Sequence, residues 1–198
     1  SRVDSVMQFV GTHKLYIDSV GVLQRKDNRV QLDVNAIAQG YAIDVRSEYL
    51  DRYMISDHLI EIGGEIRVKG KNPKGTPWRL AIDSPDEDAE MRGNAIQISL
   101  SEGALATSGN YRHYVENDGK RYGHIIDPRT GYPADSNVLS ASVIAPDCMT
   151  ADALATAILV GGIEYGKKLI QNDPDLEGVI MTEKDGKIET WVSDGIVQ

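Results

Sequence analysis

Residues 151–160 (ADALATAILV) constrain this chain more than any other segment, because all but two of them are small or apolar. A helix that is apolar nearly all round is buried on most sides, so the run predicts a central helix with close neighbours. Thr150 is the expected N-cap, and Gly161 with Gly162 the stop. The two exceptions, Asp152 and Thr156, stand four apart and share one face. Buried polar groups without partners cost on the order of 1–3 kcal/mol, so that face needs something to bond. A hard cation would satisfy both oxygens, since magnesium takes oxygen ligands, few of them carboxylates, and completes its shell with water and phosphate. On the other reading, Asp152 complements the helix N-terminus and Thr156 bonds its own backbone.

Around this helix, 198 residues that are 41% hydrophobic suffice for one core, and a single domain is expected. No stretch approaches the roughly 18 consecutive apolar residues of a membrane span. Alternation over residues 13–22 and 29–34 reads as strands. From Asn35 the period changes, and Ala38, Ala42, Val45, Tyr49 and Tyr53 predict the apolar face of a helix running to about Met54. Strands are expected at 59–62 and 65–68, broken by Gly63-Gly64, and at 78–83 and 95–100, on either side of a polar loop at 84–93. Residues 103–114 and 122–133 are rich in Gly, Ser, Asn, His and Pro and flank a hairpin tip at Asp118-Gly119. A strand at 138–144, a short helix at 163–172 and a hairpin of 179–182 with 187–192 close the chain. There is no βαβ regularity, so the expected class is α+β.

Two further segments carry chemistry. In YGHIIDPRTGYP (residues 122–133), His124 and Asp127 lie three apart in a loop stiffened by proline. Histidine takes a proton near neutral pH and a carboxylate can orient it; alternatively Asp127 bonds local backbone in a turn and His124 packs. In DVNAIAQGYAID (residues 33–44), a strand-to-helix junction offers free N–H groups and a positive dipole end that suit a phosphate, or small residues simply pack there. The net charge of -9 disfavours capture of nucleic acid or an anionic membrane, and an anionic ligand would need local help. The single cysteine, Cys148, excludes an internal disulfide. Nucleophile-elbow, phosphate-loop, zinc-protease and dinucleotide fingerprints are absent from the sequence.

These segments, in this order, resemble the FAD:protein FMN transferase family, also called ApbE. DVNAIAQGYAID, EIGGEIRVKG (residues 61–70), ATSGNYRHY with DGKRYGHIIDPRTGYP (within 106–133) and VIAPDCMTADALATA (residues 143–157) carry the likeness. The resemblance implies a single T-fold-related α+β domain with a mixed or antiparallel sheet, and a family section ahead of the His13 region that is missing here. It implies magnesium bound by the Asp152 and Thr156 side chains and the Ala36 carbonyl. It places Asp33, Gln39, Gly63, Gly64, His124 and Ile126 against FAD, with His124 as the candidate base and Asp127 beside it. The implied reaction cleaves FAD, the substrate, and attaches FMN to a Thr or Ser hydroxyl of an acceptor flavoprotein, with AMP released. The alternatives are FAD hydrolysis to FMN and AMP, or flavin binding without catalysis. The family's habit is the periplasmic side of the bacterial envelope, often with an N-terminal lipid anchor. Gln39 departs from the family's frequent lysine, and Glu61 and Glu65 stand where Asn and Asp are common.

Overall fold

The computed structural model describes residues 2–85, 95–109 and 125–196 in full, and the backbone of 114–117 and 120–123. After a short helix, α1 (Arg2–Met7), a two-stranded hairpin pairs β1 (Leu15–Ile17) with β2 (Leu23–Arg25). Helix α2 (Asn35–Arg52) follows, then β3 (His58–Ile62), β4 (Glu65–Lys69), β5 (Trp78–Ile82), β6 (Ile96–Leu100) and β7 (Glu102–Gly109). The hairpin β8 (Tyr114–Asn117) and β9 (Lys120–Gly123) leads to β10 (Val138–Ala145), α3 (Cys148–Gly161), α4 (Ile163–Gln171), β11 (Glu177–Lys184) and β12 (Lys187–Val192).

Six strands form one sheet in the order β12-β11-β10-β7-β4-β3, every neighbouring pair antiparallel. Alternation along the strands sends side chains to two cores. Ala104, Ala106, Ala141 and Val143 face a core shared with Ile43 of α2, with Ala151, Ala155, Ile158 and Leu159 of α3 and with Ile170 of α4. Val68, Leu105, Val179 and Met181 face the opposite side, where the β5–β6 hairpin lays Leu80, Ile82 and Ile98 over them. The molecule is a layer of helices, a sheet and a covering hairpin, an α+β arrangement as expected.

Several expectations are corrected. Residues 29–34 form no strand, and the 13–22 segment is strand only over Leu15–Ile17. Residues 103–109, within a stretch given no element from its Gly- and Ser-rich composition, belong to the central strand β7, whose small side chains let α3 approach the sheet. The helix-capping residue of α3 is Asp147, which accepts the Thr150 N–H at 2.8 Å, with Thr150 inside the first turn. Most consequential, α2 buries the face opposite to the one predicted. Gly40, Ile43, Asp44 and Ser47 are buried, whereas Tyr49 is 56% exposed and Tyr53 62%. Ser47 meets His58 at 2.8 Å, so this helix packs through a polar, small-residue face. The Asp118-Gly119 tip and most of the 84–93 loop lie outside the described residues, although Asn117 pairs with Lys120 across the tip.

Candidate functional site

A cleft of about 1170 Å³ opens where the start of α2, the β3–β4 turn, the end of β7, the Ile125–Pro128 stretch and α3 converge. Asp33, Ala36, Gln39, Gly63, Gly64, Ile126 and Thr156 all line it, so residues from four separated segments share one cavity. Glu61, Glu65, Asp83, Thr107 and Ser108 line it as well.

Local geometry explains the assembly. The β3–β4 turn needs φ of 67° at Gly63 and 113° at Gly64, values that L side chains rarely adopt. The turn also lies so close to α2 that a Cβ at Gly63 would collide with the Gln39 amide. That amide donates to the Ile62 carbonyl at 2.7 Å, which fixes the turn against the helix. Gly40, the next residue of α2, lies against the Cys148 and Met149 backbone, where a Cβ would collide. Contact at this range lets the Gly40 N–H donate to Asp152 Oδ2 at 3.1 Å. Asp152 thus sits beneath the cleft, 6% exposed, while Thr156 one turn on reaches it and pairs its hydroxyl with Ser108 at 3.1 Å.

The electrostatics are one-sided. Four carboxylate residues line the cleft, Asp33, Glu61, Glu65 and Asp83, and no Lys, Arg or His lines it among the described residues. Burial pushes the Asp152 carboxyl above the usual range, opposed by the Gly40 hydrogen bond. Glu65 is raised to about 7, first by burial and further by the charge of Asp152, although its own N–H and Gln39 work the other way. One carboxylate oxygen of Glu65, Oε2, is buried with no hydrogen-bond partner. Native proteins rarely leave such an atom unpaired. Cys148 beneath is buried and its thiol is pushed up to about 12, which leaves it inert at neutral pH.

A hard cation fits this donor set. A buried carboxylate bonded by one amide N–H, a nearby hydroxyl and an orphaned carboxylate oxygen all gain from positive charge. The site residues predicted from sequence therefore come together, with two qualifications. Asp127 is 8% exposed and spends its carboxylate on Arg129, accepting the Arg129 N–H at 2.8 Å and its guanidinium at 2.7 Å, which holds its pKa below the usual carboxylate range. This is the turn-forming arrangement. His124 lies outside the described residues. Ser108 and Thr107 were missed, within a segment read only by its composition. The orphaned oxygen of Glu65 depends on three-dimensional burial, for which the sequence carries no signal.

Comparison with known proteins adds a decisive observation: the model of the ApbE family matches residues 1–180. The chain belongs to the ApbE family. A Vibrio cholerae protein named FAD:protein FMN transferase is 48% identical over 135 residues, 68% of this chain and 40% of that protein. Its namesake in Escherichia coli K12 is 35% identical over 173 residues, covering 86% of this chain and 48% of that one. The solved structure of the flavin transferase ApbE from Vibrio cholerae superposes with a TM-score of 0.84 at 36% identity, over 97% of this chain and 60% of the other. That of a Thermotoga maritima ApbE protein gives 0.82 at 33%, over 98% and 61%. This ApbE chain thus spans about half the length of the curated relatives it matches.

Proposed function

We propose that the protein is a magnesium-dependent FAD:protein FMN transferase. The observation that carries this reading is the cleft itself. Ala36 and Thr156 line it, Asp152 is bonded to Gly40 beside it, and its wall carries carboxylates and no basic residue among those described. An anionic pyrophosphate would be repelled from such a cavity unless a cation came with it. Asp152, Thr156 and the Ala36 carbonyl would hold magnesium, which when bound supplies neutralisation of the pyrophosphate charge.

The chain's own groups do the remaining work. Gly63 and Gly64 leave a wall free of side chains, and Ile126, half exposed, offers an apolar surface to a flavin ring. Gln39, neutral and tied to Ile62, contributes polarity without charge. A Thr or Ser hydroxyl of the acceptor protein attacks the FMN phosphorus of FAD. The new P–O bond forms as the pyrophosphate P–O bond breaks, AMP leaves, and the hydroxyl proton passes to His124. Arg129 and Asp127 set the turn that follows His124. Action at the periplasmic side of the bacterial envelope is part of the same reading, testable by cell fractionation.

The test uses the protein, FAD, magnesium and a candidate acceptor, read by in-gel flavin fluorescence. Asp152→Ala should abolish labelling while circular dichroism stays unchanged; wild-type turnover in that variant would overturn the metal assignment. Thr156→Val removes a neutral ligand and should be milder, with partial rescue by added magnesium.

A further inference from the structure

Asp44 lines no part of the cleft, yet its carboxylate sits at the centre of the contact between α2 and α3. It is 8% exposed. Oδ1 accepts the Cys148 N–H at 2.9 Å and the guanidinium of Arg67, and Oδ2 accepts the Met149 N–H at 2.9 Å. Those are the first two of the N–H groups that a helix start leaves without partners. Asp147 takes the Thr150 N–H and hydroxyl, at 2.8 and 2.9 Å, from within the same chain segment. The start of α3 is thus capped from two directions, one of them a different helix.

The bond between Gly40 and Asp152 runs in the opposite sense, from α2 backbone to α3 side chain. Both bonds converge on one contact, where Gly40 also lies against the Cys148 and Met149 backbone, so the two helices are tied together at this point. Ala36 stands one turn before Gly40 on α2, and Thr156 one turn after Asp152 on α3. Those two residues line the cleft. We propose that Asp44 is a positioning residue for the cation site. By capping α3 from α2 it fixes the contact between the two helices that carry the Ala36 carbonyl, Asp152 and Thr156, without touching the cation or the substrate itself.

This rests on the metal reading above and is tested by metal affinity in the absence of substrate. Mn²⁺ serves as the probe, its free form counted by electron paramagnetic resonance, on protein shown to be folded by circular dichroism. Asp44→Asn keeps the size of the side chain but replaces one acceptor oxygen with an NH2 group directed at α3 N–H donors. It should weaken Mn²⁺ binding at least tenfold. Arg67→Gln removes the ion pair and leaves both N–H bonds; it should lower the melting temperature but keep Mn²⁺ affinity within about threefold. Should Asp44→Asn not fold, Asp44→Glu, with the same charge on a longer reach, is expected to show the same loss of affinity. A merely structural Asp44 would lower stability in these variants and leave the affinity of the folded protein unchanged, which overturns the proposal. Wild-type protein that bound no Mn²⁺ would instead overturn the metal reading, and the role of Asp44 with it.

Discussion

Glu65 shows how a single side chain reports on a site. Its carboxyl is 9% exposed, lacks a partner for Oε2 and is raised to about 7, chiefly by burial. A raised folded-state value means that the fold binds the proton more tightly than the unfolded chain does, so stability is highest below the ordinary glutamate range. Stability is then lost as pH climbs through about 7. Glu65→Gln, which needs no ionisation, should therefore raise the melting temperature at pH 8 and change it little at pH 5. A gain of equal size at both pH values would show that Glu65 is neutral or well paired throughout. Nothing in EIGGEIRVKG distinguished this glutamate from Glu61 four residues earlier, which is exposed. Asp152 was different: a lone carboxylate in ADALATAILV could not escape burial, so its burial was legible from the sequence.

The same contrast holds for elements. α3 was readable because its composition left no choice of face. α2 misled because its apolar side chains, Ala38, Ala42, Val45, Tyr49 and Tyr53, lie outward in the described structure, while Gly40, Ile43, Asp44 and Ser47 pack inward. Close approach to α3 selects for small size at Gly40 and for hydrogen bonding at Asp44, and neither property registers as hydrophobic periodicity. Substitution separates the two faces. Ile43→Ala, at 0% exposure, should cost about 2–5 kcal/mol in denaturant unfolding. Tyr49→Ser, which loses a ring contact with Tyr53 at 4.8 Å centroid separation, should cost under about 1 kcal/mol in this chain. Gly40→Ala adds one methyl where the Cys148 backbone leaves no space, and should cost about 1–3 kcal/mol and weaken Mn²⁺ binding together. A larger loss at Tyr49 than at Ile43 would mean that the predicted face was the packed one after all.

For the whole molecule, the decisive quantity is the share of the family's length that is present. These 198 residues cover 60% of the Vibrio cholerae flavin transferase structure, and they expose many large apolar side chains, among them Ile17 at 71%, Val20 at 80% and Leu32 at 58%. Ala36, Thr156 and the glycine turn line the cleft within the chain, with Asp152 bonded to Gly40 beside it. The apolar side chains that line the cleft are those of Ile66, Ala81, Ile82, Leu105, Ile125 and Ile126. A polypeptide extended to the full span of its relatives should therefore add wall to the flavin or adenine half of the pocket and leave the phosphate half as it is. Buried apolar area contributes about 25 cal/mol per Å², so ~100 Å² of added wall amounts to roughly 2.5 kcal/mol, more than tenfold in affinity. Calorimetric titration of both polypeptides follows, with FAD and with magnesium pyrophosphate. Magnesium pyrophosphate should bind the two alike, and FAD should bind the longer one at least tenfold more tightly. Equal FAD affinities would mean that residues 1–198 already enclose the whole nucleotide, and the exposed apolar residues would then need an explanation unrelated to the flavin.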